Sequence, residues 1–179
     1  MQIEKLNNPF AVLYDGYHCF GCSKRNTKGF HLDFYRKDNV VYSLWNPDRD
    51  LQGYHNLLHG GIQATLMDEV SAWWIYTVAG TAGLTSKLSI RYLKSVPILE
   101  GNIFLRAMEI ERRRNIYTIK GELFSHAMEL CARAELDFFT FPVEKAMKEM
   151  YYPGLEKFSG PMVESSAQGF PDALFEAVA

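Results

Sequence analysis

The stretch from Gly60 to about Ala79 limits the fold of this chain more than any other. It opens on a glycine pair, contains no proline, and has Ile62, Leu66, Val70, Trp73 and Trp74 among its apolar positions. As a helix, its roughly twenty residues rise about 30 Å, enough to cross a small domain. It is apolar around most of its circumference, a pattern that suits a helix embraced by other structure and not one lying on a surface. Its most apolar part, about Val70 to Gly80, has roughly half the ~20 residues that span a bilayer, and it follows directly on Asp68 and Glu69. A buried central helix is the reading that remains.

What encloses that helix comes from one domain, since 179 residues is the size of one. Ahead of it, His31–Arg36 and Val40–Trp45 alternate as strands around the turn-like Lys37-Asp38-Asn39, and a polar, irregular stretch from Asn46 to Leu58 suits a surface loop. Behind it, Leu84–Leu93, Asn102–Glu111, Ile116–Phe124 and Leu130–Phe141 read as strands. Their short links (Pro97–Gly101, Arg112–Asn115, Ser125–Glu129) predict an antiparallel meander. The fold class is therefore α+β, with one long central helix laid across a curved antiparallel sheet. Residues 1–30 read as an irregular N-terminal segment and residues 31–141 as the domain. Residues 142–179 read as a short helix (Val143–Tyr151) and a peripheral tail.

Composition narrows the function. Hydrophobic residues make up 47% of the chain and charged residues 22%, ordinary for a globular protein. Nineteen Lys and Arg against 21 Asp and Glu leave a formal charge of −2. A nucleic-acid binder shows a basic excess and a membrane-surface protein a basic stripe, so neither partner is expected. Three cysteines make no complete disulfide set, and the start, MQIEKLNNPF, lacks the apolar stretch of a signal peptide. A cytoplasmic protein is expected.

The chemistry concentrates between Gln52 and Glu69. Gly60 and Gly61 open the helix, where backbone N–H groups without intrahelical partners meet the positive end of the dipole and no Cβ shields them. Such an entrance suits negative charge developing on a carbonyl oxygen under attack; the plainer alternative is a tight loop-to-helix turn. Asp68 shares its helix face with the small residues Ala64, Thr65, Ser71 and Ala72. An acid in an apolar helix needs a hydrogen bond, an ion pair with a sheet Lys or Arg, or a cleft. Glu69 is rotated about 100° from Asp68, so the two acids do not point at one atom.

His59-Gly60-Gly61 with an acid nine positions after the His, a preceding Gln52-Gly53, and a following strand with Thr85 and Ile90-Arg91-Tyr92-Leu93 resemble the hotdog-fold acyl-CoA thioesterases, most closely the phenylacetate-pathway branch. The resemblance spans about residues 18–141 and includes Cys19-Phe20-Gly21-Cys22. It implies a hotdog domain and a hydrolase that splits acyl-CoA into free acid and coenzyme A. It also implies a homodimer or homotetramer whose site lies between subunits, with no cofactor. By the same resemblance, Gly60 polarises the thioester carbonyl, Asp68 activates water or attacks the carbonyl itself, and Thr85 orients the water, with Ser86 as its competitor. Some members carry Asn six residues before the His. Gly53 stands there in this chain, which leaves Gln52 or Asn56 as the polar substitutes. His59 reads as a loop residue that bonds backbone. A hotdog protein that binds or senses acyl-CoA without turnover is the alternative function.

Other groups rank below these. Arg112, Arg113 and Arg114 fill a hairpin turn, where three cations suit the phosphates of coenzyme A or simply a solvated turn; Arg91 and Lys94 invite the same two readings. Trp73, Trp74 and Tyr76 read first as core or dimer packing and second as a wall of an acyl pocket. Cys19 and Cys22 with His18 and His31 make a zinc set on paper. No second CxxC accompanies them, and the similar stretch in the family is not generally a zinc site, so no metal is expected.

Overall fold

In the computed structural model, which describes residues 1–176, the chain begins with β1 (Gln2–Lys5) and a single turn, α1 (Phe10–Leu13). The hairpin β2 (Asp33–Lys37) and β3 (Val40–Trp45) follows, then the small ribbon β4 (Gln52–Tyr54) and β5 (Leu57–Leu58). The central helix α2 (Gly60–Trp74) runs on without a break into a wider π turn at Ile75–Ala79, and Gly80, at φ +70°, ends it. Strands β6 (Gly83–Tyr92), β7 (Ile103–Arg113), β8 (Ile116–Phe124) and β9 (Leu130–Thr140) come next. The helix α3 (Val143–Glu149), the strand β10 (Met162–Glu164) and the turn α4 (Ala173–Glu176) complete the order.

Eight strands form one antiparallel sheet in the order β10-β1-β2-β3-β7-β8-β9-β6. Helix α2 packs on one face and touches five neighbouring strands, β3 through β6, so the sheet wraps it. Leu66, Met67, Val70, Trp73 and Trp74 are all buried there against Val41, Leu105, Ile119 and Leu136. Burying each aliphatic side chain is worth about 1.5–3 kcal/mol. Trp73 stacks on Phe34 with ring centroids 4.2 Å apart, and Trp74 Nε1 donates to the Asn39 carbonyl at 2.8 Å, so both indoles are core. Tyr76 stacks on Phe158 beside them.

The structure corrects four expectations. Gln2–Lys5 is a strand between β2 and β10, not irregular chain, because its partners lie about 30 and 160 residues away. His31 takes φ +56° and stays outside β2. The third difference matters most: β6 does not begin the meander. It pairs with β9, and the ten-residue link through Pro97 carries the chain back across the sheet to β7. Long-range pairing decides this, and a local pattern does not report it. Strand β6 is left as a ten-residue edge with Leu84, Leu88 and Tyr92 exposed.

The C-terminal segment is not peripheral either. Phe170, Leu174 and Phe175 cover the face of the sheet opposite α2, against Tyr35, Tyr42 and Phe104. Beneath them Arg106 Nε donates to Glu122 at 2.7 Å, and Arg106 Nη1 donates to the Leu174 carbonyl at 3.0 Å, so the buried pair is completed by the tail.

Candidate active site

The helix entrance is built by its cap. His59 Nδ1 accepts the Gly61 N–H at 2.9 Å, satisfying one of the donors that a helix start leaves unpaired. Gly60 is the first helical residue, so its N–H has no intrahelical acceptor. Gly60 lines a cavity of about 520 Å³ together with Tyr54, Leu58, Gln63, Tyr92 and Val96. Tyr92 Oη donates to the Gly60 carbonyl at 2.8 Å and ties the entrance to the end of β6. Gln63 is 5% exposed; its Nε2 donates to the Leu58 carbonyl, while its Oε1 has no partner among the described residues. Gln52 Oε1 accepts the Asn56 N–H at 2.9 Å, and Asn56 Oδ1 accepts the Leu99 N–H at 3.0 Å. Both side chains brace the loop, and Gly53, not either of them, lines the cavity.

The acid lies farther along. Thr85 Oγ1 donates to Asp68 Oδ1 at 2.7 Å. The register of β6 on β9 slips between Thr85 and Lys87, which makes Ser86 the extra residue of a bulge. Ser86 Oγ turns to the Asp137 carbonyl at 2.9 Å, so Thr85 alone meets the acid. Burial raises the Asp68 carboxyl above its ordinary range, and the Thr85 hydrogen bond pulls it partly back. Glu69 faces the other way, where Cys19 Sγ donates to its Oε1 at 3.3 Å, and burial pushes its carboxyl up to about 8. Among the described residues neither acid has an ion-pair partner, which removes the sheet Lys or Arg as an explanation for Asp68.

Eight residues of helix separate Gly60 from Asp68, a rise of about 12 Å. A single reacting atom does not reach both groups of the same chain.

The cations divide. Arg112 and Arg114 join Lys145 and Phe139 around a cleft of about 550 Å³, while Arg113 pairs with Glu111 at 2.6 Å. Arg112 shares a cross-sheet row with Thr85, through Tyr117 and Phe138, so this cleft lies at the acid end of the sheet. Lys94 pairs with Glu129 at 2.6 Å, and Arg91 is exposed opposite Arg133. Sequence reading assigned no role to Gln63 or to the Tyr92 hydroxyl. The signal for Gln63 is a long amide side chain in the mostly apolar first turns of the helix.

Residues 55–132 match the family model described as Thioesterase superfamily. An uncharacterized protein of Schizosaccharomyces pombe is 32% identical over 114 residues, 59% of this chain and 61% of that protein, so the chain spans about three fifths of this relative's length. A thioesterase from Haemophilus influenzae superimposes with a TM-score of 0.60 at 17% identity, over 68% of this chain and 86% of that one. A hypothetical thioesterase from Streptococcus pneumoniae, solved with coenzyme A, does so with a TM-score of 0.54 at 20% identity, over 58% and 80%. These likenesses establish the hotdog fold.

Proposed function

We propose that this chain, whose residues 55–132 are the core of a thioesterase-superfamily hotdog domain, hydrolyses acyl-CoA thioesters at sites shared by two copies of itself. The observation that carries the reading is the separation of the two catalytic parts. A helix-entrance glycine whose N–H has no intrahelical acceptor lines a cavity, and a half-buried, hydroxyl-oriented carboxylate lies about 12 Å away on the same helix. Pairing the open β6 edge with a second β6 about a two-fold axis is antiparallel. Such pairing sets the Thr85 end of one strand beside the Tyr92 end of the other. Asp68 of one copy then approaches Gly60 of its partner, and ten residues of unpaired edge are satisfied.

In this arrangement the carbonyl oxygen of the thioester accepts the Gly60 N–H. Thr85 occupies Asp68 Oδ1, which leaves Oδ2 to take a proton from water as the water oxygen attacks the carbonyl carbon. The oxyanion is held by the same N–H and the helix dipole. Collapse breaks the C–S bond, and the proton on Asp68 passes to the departing thiolate. Arg112, Arg114 and Lys145 at the acid end suit the phosphates of coenzyme A. The Streptococcus pneumoniae neighbour with bound coenzyme A supports this ligand class.

Incubating the protein with acyl-CoAs of increasing chain length and a thiol-reactive chromophore tests the reading. Catalytic release of free thiol is expected. Saturable binding with no thiol release would instead make the protein an acyl-CoA binder.

A further inference from the structure

The most unusual chemistry outside that site is on the far side of Glu69. Residues 19–22 form a tight loop, closed by the Ser23 N–H on the Cys19 carbonyl at 3.2 Å, and the Cys22 N–H donates to Cys19 Sγ at 3.4 Å. Both thiols are free, and they and a Glu69 carboxylate oxygen lie within 4.8 Å of one another. The loop is pressed on that carboxylate: a Cβ at Gly21 would fall 2.6 Å from Glu69 Oε2, so a glycine is what lets the acid seat there.

Each of the three groups is an anion once deprotonated, and the nearby cations are engaged elsewhere. Lys24 pairs with Asp33 at 3.0 Å and Arg25 with Asp15 at 3.9 Å. Thiolate and carboxylate ligands at zinc distances sit roughly 3.4–3.8 Å apart around a tetrahedral ion. The Cys19–Glu69 separation of 3.3 Å is already close to that, with Cys22 inside the 4.8 Å bound. His18 and His31 stand outside the cluster, and His31 Nε2 bonds the Asn26 carbonyl at 2.7 Å.

We propose that Cys19, Cys22 and Glu69 form a zinc site, with a fourth position left for water, that ties the N-terminal loop to the central helix beside Asp68. The sequence points away from metal because no second CxxC accompanies the pair and the similar stretch in the family is not generally a zinc site; in the fold the neighbouring histidines stay outside the cluster as well. The ligand that joins the pair is about fifty residues away. Two thiolates and a carboxylate favour zinc over calcium or magnesium.

Cobalt(II) added to the reduced full-length chain should give a thiolate-to-cobalt charge-transfer band that saturates at about one ion per chain and is bleached by zinc. Cys19→Ser and Cys22→Ser should abolish the band. Glu69→Gln should weaken zinc binding at least about tenfold, no less than loss of an outer-shell partner does. His18→Ala and His31→Ala should leave uptake unchanged. The wild-type titration needs no variant to fold: reduced protein that gives no thiolate band overturns the site, as does a Cys19–Cys22 disulfide in place of metal. Dependence on the histidines but not on Glu69 would overturn the ligand set.

Discussion

Thr85 Oγ1 reaches Asp68 Oδ1 across 2.7 Å, and this bond joins the edge strand to the central helix. The two adjacent acids of that helix meet different surroundings. Asp68 faces β6 and its exposed edge, whereas Glu69 faces Cys19 and the N-terminal loop. A single residue of helical rotation accomplishes the division.

Asp68→Asn should therefore keep the fold and lower kcat by about 10²-fold or more, the range lost with an acid–base group. Glu69→Gln should change kcat much less. Steady-state kinetics beside thermal unfolding decides it. Near-normal turnover in Asp68→Asn together with inactivity in Glu69→Gln would reverse the assignment of the two acids.

Thr85 should be visible in the pH profile. Activity that needs the Asp68 carboxylate falls as pH drops through its pKa. Burial raises that pKa and the Thr85 hydroxyl lowers it, so Thr85→Ala should move the acidic limb of kcat/KM to higher pH. Thr85→Ser, which keeps the hydroxyl, should restore the limb. Coincident limbs in all three proteins would show that Thr85 does not act on the acid.

The helix and the strands Val40–Trp45 and Ile116–Phe124 are legible in the sequence because each rests on local periodicity. The position of β6 is not legible. Its pairing with β9 depends on contacts about fifty residues apart, and the Ser86 bulge that selects Thr85 exists only once that register forms. Phe170, Leu174 and Phe175 read as a tail because their partners, Tyr42 and Phe104, lie on a sheet face that no nearby residue reveals. At the site, the Gly60 and Asp68 spacing was plain. The cavity's unpaired Gln63 oxygen and the Glu69–Cys19 contact needed tertiary structure.

Shared sites have a kinetic signature in mixtures. The wild type should sediment without monomer at micromolar concentration. Asp68→Asn and Gly60→Val proteins, each inactive alone, should regain activity when their subunits exchange. A hybrid dimer holds one intact site of two, and hybrids make up half of a random mixture. The expected recovery is about one quarter of wild-type activity. No recovery after verified exchange, or full activity in a monomer, would confine the site to one chain.

The covered outer face makes a stability prediction. Arg106 and Glu122 are 6% and 1% exposed, and breaking a buried pair from one side costs roughly 3–5 kcal/mol. Arg133 still reaches Glu122 at 3.0 Å, so Arg106→Met should fall near the lower end, about 3 kcal/mol. Urea unfolding measures it. A loss under about 1 kcal/mol would equal a solvated surface pair and deny the tail its role as a cover.

Gly60 offers the sharpest test of the oxyanion position. A Cβ there would meet the Tyr92 hydroxyl at 3.2 Å, a contact the side chain can relieve by a few tenths of an ångström, and Gly60 has no positive φ that would strain another residue. Backbone strain is thus a weak explanation for any loss of function at this position. The branched side chain of valine would crowd the cavity in front of the N–H, where a carbonyl oxygen must come within about 3 Å. Losing one such donor costs about 2.7–4 kcal/mol in the transition state, so Gly60→Val should lower kcat by about 10²–10³-fold. Gly61→Ala should be milder, since its N–H is already spent on His59 and its Cβ would meet only that ring. The unfolding midpoint of Gly60→Val should stay close to wild type while activity is lost. A stable Gly60→Val protein with normal turnover would place the thioester carbonyl at some other donor.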